Sequence, residues 1–249
     1  MTIKKPLTKK NCNIVILGCG RSGTSILGEL FEYLPEFNYL FELFLDKIVE
    51  NLNNKRVCIK VPKGGKTLTK GLACDMNELL NILGKDIKII WIVRNPLDTI
   101  CSLKPGIEDN WSHNPKPPNY QKLLNQPWHI KCAYHWNYIN SVGFKIASNY
   151  GPFLIVKYED LITKPQRTIS QILDFIKSKD HKIDILPYIA KLQNKTSDSY
   201  HAKYQTHWFR NDHRTRINRY KENMTEKEIS ETYGIIKETS SNFGYSKPL

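Results

Sequence analysis

Residues 18–25 read Gly-Cys-Gly-Arg-Ser-Gly-Thr-Ser, directly after an apolar run. That mixture suits the capture of an anion. Glycines let the backbone curl until its amides point at one centre, and the start of a following helix adds more donors. Arg21 supplies a forked cation, and Ser22, Thr24 and Ser25 supply hydroxyls beside Gly20 and Gly23. A tight strand-to-helix turn needs the glycines but not an arginine and three hydroxyls. The loop therefore reads as a phosphate cradle.

What the loop lacks is as informative. Its spacing nearly matches G-x-x-x-x-G-K-[ST], but Thr24 takes the place of the lysine that bridges the β- and γ-phosphates. Nor does an apolar strand end in an acidic residue that would hold magnesium. The two best strands end in Arg94 and in Lys157-Tyr158, and only Asp160, slightly downstream, is a candidate. A phosphate loop without NTPase machinery is the result.

The elements that must position such a loop follow from periodicity. Asn13–Leu17, 56–61, Ile87–Val93 and 153–158 read as buried strands. Helical spacing covers 26–34, 75–83, the segment after Asn95-Pro96, 129–149, Pro165–Ile176 and 225–240. Residues 104–128, rich in Pro, Asn and Trp, read as a long substrate loop or lid. Beyond about 185 the chain turns polar and irregular until the final helix. Residues 1–12 form a basic, flexible lead-in, and 13–249 form one α/β domain. Strands alternating with helices predict a central parallel sheet with helices on both faces. Ligands then sit at the carboxyl ends of the strands, around Gly18, Lys60, Arg94 and Tyr158.

A formal net charge of +13 favours a polyanionic partner: nucleic acid, acidic membrane, acidic glycan or a multiply phosphorylated nucleotide. Cys12, Cys19, Cys58, Cys74, Cys101 and Cys132 form no C-x-x-C pair and no zinc spacing, so no metal is expected and buried free thiols are. The basic stretch Met1 to Asn13 is followed only by the short apolar run 14–17, too short for a signal or an anchor. A cytoplasmic location without a membrane anchor is the expectation.

The Gly18-to-Ser25 loop resembles the 5′-phosphosulfate-binding loop of sulfotransferases that use 3′-phosphoadenosine 5′-phosphosulfate (PAPS). Its arginine is nearer the tyrosylprotein, carbohydrate and bacterial branch than the cytosolic phenol and steroid branch, which has lysine there. Val93-Arg-Asn-Pro-Leu-Asp-Thr-Ile-Cys-Ser102 is similar to the family's 3′-phosphate segment. The resemblance implies that Arg94 pairs bidentately with that phosphate and that Ser102 reaches it from the second helical turn. Weaker similarities are Tyr158-Glu-Asp-Leu161, whose Tyr lies near the adenine, and Trp136-Asn-Tyr-Ile-Asn140. Arg219-Tyr-Lys-Glu-Asn-Met-Thr225 resembles the segment whose basic and aromatic residues, here Arg219, Tyr220 and Lys221, close over the nucleotide.

The resemblance implies a P-loop-like sulfotransferase architecture, PAPS as donor, the 3′,5′-bisphosphate PAP as product and no metal. It makes Lys60 the cation on the leaving oxygen, with Lys63 and Lys66 as rivals. It makes Glu42, in Phe41-Glu-Leu-Phe44, the base, and its apolar flanks predict a raised pKa. Glu36, His113 and His129 are the competitors. Arg210, Arg214 and Arg216 with Lys203, interleaved with Tyr204, Trp208 and Phe209, form a basic stretch that spacing leaves open between binding an acidic acceptor, binding the 3′-phosphate and a solvated surface. The acceptor is a hydroxyl or an amine, and the net charge favours an acidic glycan or peptide. A P-loop kinase or other NTPase, and a basic nucleic-acid-binding protein, are the alternatives. Neither needs both phosphate motifs, so nucleic acid is not an expected partner.

Overall fold

The computed structural model describes residues 12–53, 55–178, 184–192 and 213–246. Its strands are β1 (Asn13–Leu17), β2 (Phe37–Phe41), β3 (Arg56–Lys60), β4 (Ile87–Val93) and β5 (Phe153–Lys157). They form one sheet in the order β2-β3-β1-β4-β5, with every neighbouring pair parallel. The helices are α1 (Thr24–Glu29), α2 (Leu45–Glu50), α3 (Met76–Leu83), α4 (Pro96–Ile107), α5 (Trp128–Tyr138), α6 (Phe144–Ala147), α7 (Tyr158–Thr163), α8 (Pro165–Ile176), α9 (Leu186–Leu192), α10 (Tyr220–Asn223) and α11 (Glu226–Asn242).

The side-chain alternation of β1 and β4 divides the core in two. Val15, Leu17, Ile89, Trp91 and Val93 face one layer with residues of α2, α3, α4, α5 and α11. Ile14, Ile16, Ile90 and Ile92 face the other, with α1, α7, α8 and α9. Strands apolar on both faces are what a helix-covered parallel sheet requires. Each such fully buried aliphatic side chain contributes roughly 1.5–3 kcal/mol. Trp91, fully buried, packs edge-on against Phe144 at 5.5 Å and donates Nε1–H to Asn140 Oδ1 at 3.2 Å. Asn140 in turn donates to the Trp136 carbonyl at 3.0 Å, so the Trp136–Asn140 pattern fastens α5 to the sheet.

Four features differ from the sequence expectation. β2 was not expected: it is an edge strand with only Phe37 and Leu40 buried, so its aromatic run shows no clean alternation. Tyr158 begins α7 instead of ending β5. α4 continues to Ile107 because Pro105 sits in its last turn, and the Glu108 amide still reaches the Lys104 carbonyl at 2.9 Å. The long connection thus starts at 108, not 104. Finally, α9 occupies part of the stretch expected to be irregular. Its Tyr188 hydroxyl donates to the Ile26 carbonyl at 2.8 Å, and Lys191 forms a buried ion pair with Glu29.

Candidate active site

The carboxyl ends of the strands open into a cleft of about 980 Å³. The Gly18-to-Ser25 loop forms its floor. Gly23 has φ 98°, and a Cβ there would lie 2.6 Å from Cδ2 of Tyr158, so glycine is what lets that ring pack on the loop. Arg21 itself takes a left-handed φ of 68°, a cost that functional loops often carry. Its Nε donates to Ser102 Oγ at 3.3 Å, joining the two phosphate motifs. Ser22 is fully buried, and among the described residues its Oγ has no hydrogen-bond partner. A buried hydroxyl in that state suits an anion that has yet to arrive.

Next to the loop, four arginines converge. Burial lowers the affinity of Arg21 for its proton, and neighbouring Arg94, Arg219 and Arg216 lower it further. Arg94 is 4% exposed, stacks over the Tyr158 ring at 4.7 Å, donates Nη1–H to the Arg21 carbonyl at 3.4 Å, and reaches the Arg216 carbonyl through Nη2. Its Nε, also buried, has no partner among the described residues. Arg216 and Arg219 come from a distant part of the chain, and Asp98 brings them in. This buried carboxylate accepts from the Asn218 amide at 2.8 Å and the Tyr220 amide at 3.0 Å, and lies 4.0 Å from Arg94 Nη2. Burial raises its pKa, against the pull of Arg94. Asp98 went unnoticed in the sequence, although its place one turn after Arg94 was a usable signal.

On the other side of the loop, sheet register does the positioning. Phe41 of β2 pairs with Lys60 of β3, so Glu42 leaves the sheet beside the lysine. Lys60 is 2% exposed, stacks over the Phe41 ring at 4.2 Å, and is ion-paired with Glu42 Oε1. Lys63 holds Glu42 Oε2 at 2.6 Å. The raised pKa expected for Glu42 is therefore corrected. Burial pushes it up, but Lys60 and Lys63 together outweigh that and hold it below the usual carboxylate value. Burial also depresses Lys60, partly offset by Glu42.

His113 lines the same cleft and packs on the loop: a Cβ on Gly20 would lie 3.2 Å from its Nδ1. Burial and then Arg21 lower its pKa, so it is neutral near pH 7. Gly20, Arg21, Gly23, Thr24, Ser25, Glu42, Lys60, Arg94, Ser102, Tyr158, Arg216 and Arg219 all line the cleft, with Ser22 beneath them. Tyr220 instead packs in the core and Lys221 is exposed; neither lines it. His129 is engaged by Glu231 at 2.9 Å, Glu36 by Ser178 at 2.5 Å, and Lys66 is exposed. Lys203, Tyr204, Trp208, Phe209 and Arg210 lie outside the described residues.

A family model for the sulfotransferase domain matches residues 12–244. The chain belongs to the sulfotransferase domain family. This sulfotransferase shares its fold with solved structures of low sequence identity. The sulfotransferase domain of the Synechococcus PCC 7002 olefin synthase is 18% identical, with 100% of each chain covered and a TM-score of 0.56. The sulfotransferase domain of the curacin biosynthetic pathway is 16% identical over 95% of this chain and 99% of that one, at 0.59. A mouse sulfotransferase complexed with PAP is 16% identical over 94% and 85%, at 0.55. No curated protein sequence matches the chain. Among the described residues no helix of this sulfotransferase is long and apolar enough to cross a membrane.

Proposed function

We propose that the chain transfers a sulfuryl group from PAPS to an acceptor hydroxyl or amine and releases PAP. The observation that carries this reading is the union, in one cleft, of a phosphate loop, a buried lysine paired with a partly exposed carboxylate, and an arginine cluster on the opposite side of the loop. A ligand with one phosphate would use only half of it. The Ser22 Oγ and Arg94 Nε, without a hydrogen-bond partner among the described residues, fit two separated anionic groups, and the mouse sulfotransferase was solved with PAP.

In this mechanism the loop amides, Arg21 and the three hydroxyls hold the 5′-phosphosulfate. Arg94, Ser102, Arg216 and Arg219 hold the 3′-phosphate, and Tyr158 lies beside the adenine. Glu42 takes the acceptor's proton as the new bond to sulfur forms. Lys60 neutralises the bridging oxygen that keeps the electron pair of the breaking S–O bond. The setting is proposed to be cytoplasmic, which suits six free cysteines, five of them buried.

Calorimetric titration with PAP, beside ATP plus magnesium, tests the donor assignment. PAP should bind far more tightly than ATP. In Arg94→Ala, and in Arg21→Ala, PAP affinity should drop about tenfold to a hundredfold, the usual worth of charged hydrogen bonds. Normal PAP binding by either variant would remove that arginine from the cradle. Preference for ATP would return the loop to the NTPase reading.

A further inference from the structure

Neither Gly20 nor Gly106 has a positive φ, so backbone conformation does not call for glycine at either place. Space does. A Cβ on Gly20 would lie 3.2 Å from Nδ1 of His113, and one on Gly106 only 2.4 Å from its Nε2. Gly106 lies within α4, where glycine weakens a helix relative to alanine. The imidazole is therefore wedged between the phosphate loop and the last turn of α4, in a notch that a methyl group at either glycine would crowd.

The segment that carries the ring is held from behind. Trp111 is fully buried at a left-handed φ of 45°, a strained state that persists only where the surroundings enforce it. Its Nε1–H donates to His135 Nδ1 at 3.4 Å, and the ring of His135, itself fully buried, lies 5.9 Å from that of His113. Burial, and then His113, push the His135 pKa down to about 3, so it serves as a neutral acceptor. The amide and hydroxyl of Ser112 both donate to the Gly106 carbonyl, at 2.7 and 2.9 Å.

Electrostatics locate the ring along the reaction path. The charged groups that act on it are Arg21 of the phosphate loop and Glu42, the proposed base. Sulfuryl transfer runs from the phosphate held by the first to the acceptor served by the second. A side chain near both lies beside the group in transit.

We propose that His113 donates an N–H to an oxygen of the donor's sulfuryl group, and that Trp111 and His135 are the positioning residues that aim it. The proposal rests on the sulfuryl-transfer reading above and gives His113 a task separate from the proton removal assigned to Glu42. A neutral imidazole carries one N–H. It orients the sulfuryl group without adding a cation to a site that already holds Arg21 and Lys60.

PAP lacks the sulfuryl group, which makes the contact measurable without an acceptor. Parent and variants are titrated calorimetrically with PAPS and with PAP, and PAP binding doubles as the check that each variant is folded. His113→Ala should weaken PAPS binding about tenfold to a hundredfold and leave PAP binding within about twofold. Gly106→Ala, which displaces the ring without removing it, should show the same selective loss. In the His113→Ala background the added methyl meets no ring, so Gly106→Ala should cost no further PAPS affinity. His135→Asn, which can still accept from Trp111, should retain more PAPS affinity than His135→Leu, with PAP affinity alike in both. Unchanged PAPS affinity in His113→Ala, equal losses toward PAPS and PAP, or additive effects of the His113 and Gly106 substitutions would overturn the proposal. Equal PAPS affinity in the two His135 variants would overturn the positioning role of that residue. Failure of the parent to bind PAP sinks the donor reading and this proposal together, whereas a parent that binds PAP and a His113→Ala variant that loses nothing toward PAPS sink the proposal alone.

Discussion

Glu42→Gln should lower kcat by about a hundredfold to ten-thousandfold, the span for losing a positioned base, while PAP affinity stays within about twofold. The amide keeps the shape of the carboxylate and can still accept from a lysine, so the cleft should keep its form. The depressed pKa sharpens the expectation. A carboxyl held down by Lys60 and Lys63 stays ionised well into acid. Activity that needs it as a base should therefore persist through the neutral range and fall only as pH drops below about 4.3, the ordinary glutamate value. A low pKa also makes a weak base. The proposed mechanism would resolve this if Lys60 leaves Glu42 for the leaving oxygen as charge builds there. Base strength then rises at the moment the proton must move. Glu42→Gln with near-parental turnover would transfer the role to His113. In that case the acid limb of kcat/KM should report an imidazole that burial and Arg21 hold below its usual value of about 6.5.

Lys60→Ala should cost about a hundredfold to a thousandfold in kcat, with a much smaller loss of PAP affinity. The asymmetry is the point. A lysine that merely attracted the nucleotide would change binding and turnover alike, whereas one that meets charge appearing in the transition state changes turnover. Because the Lys60 stem is buried against Phe41, alanine also removes packing. Lys60→Met keeps most of the volume without the charge and should show the same kinetic defect with less thermal destabilisation. Glu42 keeps Lys63 as a partner in both variants, so its carboxylate is not stranded. Turnover near the parental rate in Lys60→Met would assign the leaving-group role to Lys63 or the loop amides.

The meeting of the two phosphate motifs in one cleft was legible in the sequence because each is a local motif. Gly18 to Ser25 and Arg94 to Ser102 each follow a strongly apolar strand, where the strand end dictates direction. The Glu42–Lys60 pairing was only half legible. Each residue could be named, but their contact comes from the parallel register of β2 on β3, and β2 as a partly exposed edge gives no clean periodicity. The same blindness led to the wrong sign for the Glu42 pKa: apolar neighbours in sequence predicted desolvation, while neighbours in space are two ammonium groups. Tyr220 and Lys221 were placed by motif resemblance, yet the turn held by Asp98 sends one into the core and the other to solvent. The stretch from 104 read as loop because of its Pro, Asn and Trp content and weak periodicity, yet Pro105 and Gly106 lie in α4. A proline in the last turn sacrifices only a local bond, so α4 absorbs both.

Asp98 fastens a late part of the chain over an early one, and this has a consequence for biosynthesis. The sheet is complete once Lys157 has been translated, but Arg216 and Arg219 follow well downstream. At about 5–20 residues per second that interval lasts seconds on the ribosome. During it the nascent protein can hold all five strands while the later helices and half of the arginine cluster are still missing. In the proposed assignment, tight capture of the nucleotide therefore waits for Arg216 and Arg219, and a chain interrupted before them would lack half of the arginine cluster.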